Sequence, residues 1–349
     1  MTRLRDFLRG ETNFDFVGRR RLWLRISSVA LMMSLLALVV RDLNLGIEFR
    51  GGLSIIATNP SAATVEDLRE ASQRVGISGT VIQLVDDGAT VRLQTPALDA
   101  DLQGDLLDEI ASVTGAPRAE ISVDAVGPTF GALIFRQSLI ALVVFLGAVM
   151  LFMTLRLEWK MAAAGIVSLL HDLVITIGVY AITGFEVTPA TVVAVLTILG
   201  YSLYDTVVVF DKIEEHVDDY ADRMTYSAIA NRATNQIMPR SVVTALTSLL
   251  PVGSILFVGA FIFGATSLRD FALALFVGIA VGTYSSVCVA SPFLATWKER
   301  EEDWISRRRR LEAKGRTVAT TPSAPASVVS PAQVRGTGAT PRPPKKRRR

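Results

Sequence analysis

One cysteine and two histidines leave this chain without the means for a disulfide framework or a zinc site. No G-x-x-x-x-G-K-[ST] run occurs, so there is no nucleotide-cradling loop, and neither a cofactor nor a metal is expected. Short-period repeats of the solenoid kind are absent too. Lys and Arg outnumber Asp and Glu by only 36 to 33. That excess sits at the two ends of the chain, so a pI near 9.1 is no nucleic-acid footprint. What the chain has in quantity is apolar residues. They make up 50% of its 349 positions, or about 55% with glycine counted and tyrosine left out, against about 45–50% in soluble domains. The composition is that of a membrane protein.

Six runs are long enough to cross the roughly 30 Å of hydrocarbon in a bilayer: Leu22–Val40, Ser138–Leu155, Met161–Ile182, Pro189–Phe210, Val242–Phe263 and Phe271–Ala295. The first follows a basic stretch, as a secretory signal would. It continues into Arg41-Asp42-Leu43 with no A-x-A-like cleavage site, and so reads as a retained anchor. Seven Arg precede residue 26 and fifteen Lys or Arg follow Ala295, whereas Thr183–Thr188 has none and Gly264–Asp270 one. The positive-inside rule then puts both termini in the cytoplasm and the long insert outside, in a multi-pass arrangement. The expected divisions are a cytoplasmic N-terminus (1–21), the first span (22–40), an extracytoplasmic domain (41–131), spans two to six (132–295) and a tail (296–349). The tail is rich in Thr, Pro, Ala and Ser and ends Lys345-Lys346-Arg347-Arg348-Arg349. It is expected to be disordered and to meet anionic lipid.

Between Asp42 and Gly131 there are fourteen acids and five Arg, the balance of a soluble, acidic domain. Gly51–Thr58 reads as a strand. Thr64–Val75 reads as a helix, with Thr64 as N-cap, Asp67 completing a capping box and Gly76 as its stop. Val81–Val85 and Thr90–Thr95 read as strands around an Asp86-Asp87-Gly88 turn. Asp99–Val113 is a second helix ended by Gly115, and Glu120–Val126 a last strand. The order βαββαβ is the ferredoxin-like plan. With no His or Cys and no base beside Ser54 or Ser78, the domain has no nucleophilic site and the chain is not expected to be an enzyme.

The informative residues are ionisable ones within spans, where a carboxylate costs about 2.5–3.5 kcal/mol even on the lenient insertion scale. In the third span, His171-Asp172 lie about 16 Å deep at 1.5 Å per residue. Ser168, Asp172, Thr176 and Tyr180 form a stripe there at four-residue spacing. In the fourth, Thr197, Tyr201 and Asp205 repeat the spacing, with Ser202 and Tyr204 beside them. In the fifth, Arg240, Thr244, Thr247 and Pro251 line one side. Asp205 and the Arg240–Thr244 turn reach similar depths, and a buried carboxylate near a cation and hydroxyls can alternate between proton-bearing and ion-paired states. Two readings stay open: a proton relay, or a static Asp205–Arg240 pair with Asp172 bonded only to His171. Asp211 and Lys212 read as an interfacial pair, Trp297 and Trp304 as interfacial anchors. Gly278 and Gly282 form a GxxxG that suggests close helix packing.

Several motifs resemble those of the SecF family, the smaller subunit of the bacterial SecDF complex of protein export. Gly46-Ile47-Glu48-Phe49-Arg50-Gly51-Gly52 resembles G-I-D-F-x-G-G after the first span, and Val126-Gly127-Pro128 resembles the entry to the second. His171-Asp172 recurs in the third. Gly200–Ile213 is close to G-Y-S-x-N-D-T-V-V-V-F-D-R-I. Asn235-Gln236 followed by Arg240 and Thr244 matches the fifth-span stretch, and Gly282–Ser286 followed by Ser291-Pro292 matches the end of the sixth.

The resemblance implies a six-span subunit that pairs with a SecD-like subunit in an RND-like arrangement. Such a pair couples inward proton flow to movements that help preproteins leave the SecYEG channel, alongside SecA and YidC/YajC-like proteins. It also implies that Asp205 is the proton-carrying acid and Arg240 its partner, with Thr244 and Thr247 in the same polar cluster. His171, Asp172, Tyr201 and Tyr204 are then secondary polar residues. Glu48 stands for the usual Asp, and Tyr204 stands where many members carry Asn, which alters the hydrogen bonding expected at Asp205. The rival readings are an RND-like exporter of lipid or small molecules and a non-conducting scaffold that stabilises the translocon.

Overall fold

The structure is a computed structural model that describes residues 13–85, 88–260 and 266–313. The Asp86-Asp87 part of the expected hairpin turn, the far end of the expected fifth span and the basic tail from residue 314 lie outside the described residues.

Among the described residues, six helices are long and apolar enough to span a membrane. The first is α1 (Arg20–Arg41). A short helix, α2 (Ile47–Arg50), leads into the small domain. There β1 (Gly52–Thr58), α3 (Val65–Arg74), β2 (Val81–Val85), β3 (Thr90–Thr95), α4 (Ala100–Thr114) and β4 (Ser122–Val126) follow one another. The remaining spans are α5 (Pro128–Arg156), α6 (Trp159–Thr183), α7 (Pro189–Tyr220), α8 (Tyr226–Ser254, continued by a π-helical stretch from Ile255) and α9 (Thr266–Ser285). The last span continues through a π-helical turn, Ser286–Ala290, into α10 (Ser291–Lys298), and α11 (Glu302–Ala313) follows it.

The small domain has the expected order of elements, and its sheet runs β2-β3-β1-β4 with every pairing antiparallel. That is the ferredoxin-like arrangement. The register sets Ile82, Leu93, Ile55 and Val123 in one row across the four strands. Ile55 and Leu93 are fully buried, as are Leu68 of α3 and Leu106 and Ile110 of α4, so this row is the floor of the domain's core. Period-two alternation consigns Arg92 and Gln94 to the opposite face of β3. The Thr64 capping box is present, with Asp67 bonded to both the hydroxyl and the backbone N–H of Thr64. Those bonds hold the Asp67 carboxyl below its ordinary range.

In the helical body, α6 and the last span are central: 56% of each apolar window is buried, against 11% for α1 and α5. Close approach is bought with glycine. A Cβ on Gly178 would strike Ser34 of α1 at 2.2 Å, and one on Gly278 would strike Ile198 of α7 at 2.0 Å. The GxxxG is therefore the seam between the last span and α7.

Several helices outrun their apolar segments. The second span starts at Pro128, ten residues before Ser138, and the fifth starts at Tyr226, sixteen before Val242. Apolar run length misses the start of the fifth span because most of those turns are buried in protein, whereas the added turns of the second span are largely exposed, with only Gly131 buried. Asn231 and Asn235 of α8 bond the backbone of Phe14, Phe16 and Val17, which ties the N-terminal segment beneath the bundle. Trp304 is no interfacial anchor either: it is buried edge-on to the Tyr226 ring. Asp211 and Lys212 do not pair with each other. Asp211 lies 3.7 Å from Arg156, while Lys212 bonds Glu215 at 2.6 Å.

Candidate functional site

The two acids singled out in the spans sit in separate hydrogen-bond clusters, Asp172 on α6 and Asp205 on α7. Asp172 points inward from α6 and is 3% exposed. Its Oδ2 accepts hydrogen bonds from Ser202 of α7 (2.6 Å) and Ser285 of α9 (2.8 Å), while Oδ1 lies 3.1 Å from His171 Nδ1. The GxxxG seam makes this possible, because a Cβ on Gly282 would meet Ser202 at 2.8 Å. Beyond Ser285 the π-helical turn re-aims the next side chain, and Ser286 Oγ meets Thr206 Oγ at 2.9 Å. The reading in which Asp172 bonds only His171 is thus corrected: three spans meet on this carboxylate. The stripe predicted along α6 faces inward, with Ser168 and Thr176 as buried as Asp172.

Chemistry at this interior point predicts an asymmetry between substitutions. In Asp172→Asn the amide oxygen can keep both serine donors while its NH2 turns to His171 Nδ1. Asp172→Leu strands all three groups, at about 1–3 kcal/mol for each buried group left unpaired. We expect Asp172→Asn to fold and to retain most of its activity, and Asp172→Leu to lose folded yield. Detergent-solubilised yield and melting temperature of the two variants check this.

Asp205 lies near the middle of α7, three residues beyond Ser202, and is partly exposed. Ser241 of α8 donates to Oδ1 at 2.5 Å, and Oδ2 is buried without a hydrogen-bond partner among the described residues. Ser241 was missed by the sequence reading because its 1% exposure and its turn toward α7 depend on how two helices pack. Arg240 sits beside this pair but does not close on it. Its guanidinium bonds the Tyr204 hydroxyl at 2.5 Å and lies 5.5 Å from the centre of that ring. No ion pair within 4 Å joins Arg240 to Asp205. The static pair is therefore not what the structure contains. Tyr204, in the position where the family pattern has Asn, gives the arginine an alternative partner.

The other expected members are nearby but differently engaged. Thr244 bonds the Arg240 carbonyl at 2.7 Å, and Thr247 bonds those of Val243 and Thr244, so both hydroxyls are spent within α8. Tyr201 packs against the cluster of Ile198, Ala245 and Ile279. Around Asp205 and Arg240 the surface is open: Tyr204 is 57% exposed and Leu250 70%. A guanidinium and a half-satisfied carboxylate in a span cannot rest against lipid tails at little cost. This face needs a protein or water to cover it.

The junction motif is structural in a specific way. Gly51 and Gly52 have φ of 75° and 135°. A Cβ on Gly51 would meet the Pro128 backbone at 2.5 Å, and one on Gly52 the Thr95 carbonyl at 2.2 Å. Phe49 is buried, edge-on to Phe135 of α5. A Cβ on Gly46 would strike the carboxylates of Glu48 and Glu186.

Residues 107–300 match the family model described as protein export membrane protein SecD/SecF, C-terminal. The chain belongs to the SecD/SecF family. It is 38% identical over 307 residues to a protein translocase subunit SecF of Streptomyces coelicolor, covering 87% of this chain and 82% of that protein. To SecF of Mycobacterium tuberculosis it is 39% identical over 313 residues, covering 86% and 71%. A crystal structure of SecDF, a translocon-associated membrane protein from Thermus thermophilus, superposes with a TM-score of 0.75 at 33% identity. The match covers 83% of this chain and 39% of that one, so the chain spans about two fifths of the SecDF polypeptide. Membership of a family of export proteins makes this a multi-pass membrane protein of the Sec pathway. The Thermus relative carries a SecDF name and is more than twice as long as this chain.

Proposed function

We propose that this chain is the SecF-like half of a complex that uses inward proton flow to assist preprotein translocation through the Sec channel. The observation that carries the proposal is Asp205: one oxygen held by Ser241, the other unpartnered, with Arg240 parked on Tyr204 at an uncovered intramembrane face. Such a carboxylate can take a proton on Oδ2 or, once deprotonated, draw the arginine from the tyrosine. The two states differ in which helix-to-helix bonds exist between α7 and α8, which is what a coupling device requires. A SecD-like subunit with its own six spans would cover the face and supply the other wall of the path.

In this reading both termini are cytoplasmic, the small domain is extracytoplasmic, and the membrane is the bacterial plasma membrane. SecYEG, SecA and YidC/YajC-like proteins are the surrounding machinery, preproteins the cargo, and anionic lipid the surface met by the basic tail. Each proton entering releases about 2.3 kcal/mol per 100 mV of potential, enough to bias a two-state element.

The test is preprotein export into vesicles carrying this chain with its SecD-like partner. We expect an imposed proton gradient to raise export several-fold and a protonophore to remove that increment. Export that is stimulated equally with the gradient collapsed would identify a scaffold instead.

A further inference from the structure

Glu186 is one of the buried carboxylates that this mechanism does not use; Asp270 is another. Glu186 lies in the five-residue turn between α6 and α7 and is 5% exposed, although the turn is at an end of the bundle. What buries it is the small domain. Gln94 of β3 donates to its Oε1 at 2.7 Å, and Arg92 of β3 lies 3.6 Å from Oε2. These are two of the side chains that strand alternation turns away from the domain's core.

The same turn is stitched to the segment that leads from α1 into the small domain. Gly46 N donates to the Val187 carbonyl at 2.9 Å and Val187 N to the Asn44 carbonyl at 2.8 Å, so that Leu45 and Val187 form a parallel bridge. Asn44 Nδ2 adds a bond to the Gly184 carbonyl. On its other flank the turn is held by Arg269, whose guanidinium lies over the Phe185 ring, 4.5 Å from its centre.

The turn itself has little freedom. Gly184 ends α6 in the left-handed conformation, while Thr188 and Thr191 form a capping box at the start of α7, followed by Pro189. Thr191 also bonds the Glu186 carbonyl. A displacement of α7 therefore reaches Glu186 without being absorbed in a loop. Asp205 lies sixteen residues beyond Pro189, the start of that helix, about 24 Å at 1.5 Å per residue.

We propose that Glu186, gripped by Arg92 and Gln94, is a coupling key that makes the small domain move as one body with α7, the helix that carries Asp205. The inference rests on the proton-driven reading and names the residues that pass the displacement on. Glu186 positions the domain and carries no proton for the relay.

The experiment uses the full chain with its SecD-like partner in vesicles. It measures gradient-dependent export and, with a lumenal pH dye, proton entry. Glu186→Gln should reduce the gradient-dependent increment at least five-fold while proton entry stays within two-fold of wild type. A disulfide between Leu45→Cys and Val187→Cys fastens the turn to the segment that enters the small domain, a second route to the same coupling. Formed in the Glu186→Gln background it should restore at least half of the increment, and reduction should remove it again; formed in an otherwise native chain it should leave export intact. The proposal is overturned if Glu186→Gln exports normally, if proton entry falls in parallel with export, or if the disulfide blocks export in the native background. A wild-type complex with no gradient response would overturn the proton-driven reading and the key with it, and that failure is distinct because it precedes any substitution.

Discussion

Asp205→Asn is expected to erase the gradient-dependent part of preprotein export and to leave complex yield unchanged. Asparagine has the shape of aspartate, and its amide oxygen can still accept from Ser241, so the α7–α8 contact survives. What it lacks is the second oxygen able to take a proton and the charge able to draw Arg240 from Tyr204. The ratio of export with and without a gradient should fall from several-fold to one. Matched assays on Asp172→Asn should show a smaller loss, because that carboxylate is already held by Ser202, Ser285 and His171 inside the subunit. If Asp172→Asn is the more damaging, the ranking is reversed and the interior cluster is the relay. If Asp205→Asn responds to the gradient as wild type does, the acid is a packing element and the subunit a scaffold.

The largest effect on folding is expected at Gly52. A side chain there meets two separate penalties. Its φ of 135° lies where L-residues are strained by about 1–3 kcal/mol. Its Cβ would also lie 2.2 Å from the Thr95 carbonyl, which belongs to the backbone of the neighbouring strand and cannot swing aside as a side chain could. Moving it costs roughly another 1–3 kcal/mol, as other overpacked sites do. Gly52→Ala should therefore lower stability by about 2–6 kcal/mol, seen as loss of folded yield or a large drop in melting temperature. Gly76→Ala is the control: its φ is 79°, but nothing lies within 4 Å of the added Cβ, so only the strain applies. Equal losses in the two variants would mean that the close approach to Thr95 contributes nothing.

Much of the architecture was legible in the chain. Apolar runs mark the spans because hydrocarbon leaves no other residues affordable over that length, and a helix must satisfy its own backbone there. The small domain was equally readable, since strand alternation, the Thr64–Asp67 box and the Gly115 stop are local chemistry that acts over two to four residues. Positions where helices leave the membrane were less so. The first turns of α8 are a protein-buried extension whose neighbours are remote in sequence, as Asn231 and Phe16 show.

The sequence by itself determined that a carboxylate at 205 and a guanidinium at 240 reach similar depth in adjacent spans. Spacing along a helix fixes depth, and the cost of charge in hydrocarbon makes such residues stand out. Only the tertiary structure decided what they touch. Rotation of α7 against α8 gives Asp205 to Ser241 and Arg240 to Tyr204, and spends Thr244 and Thr247 on their own helix. The close seam at Gly278 and Gly282 carries Ser285 to Asp172, and the sheet's outer face carries Arg92 to Glu186. A hydrogen bond depends on tenths of an ångström and on which way a helix faces, and both are set by side chains packing across elements far apart in the chain.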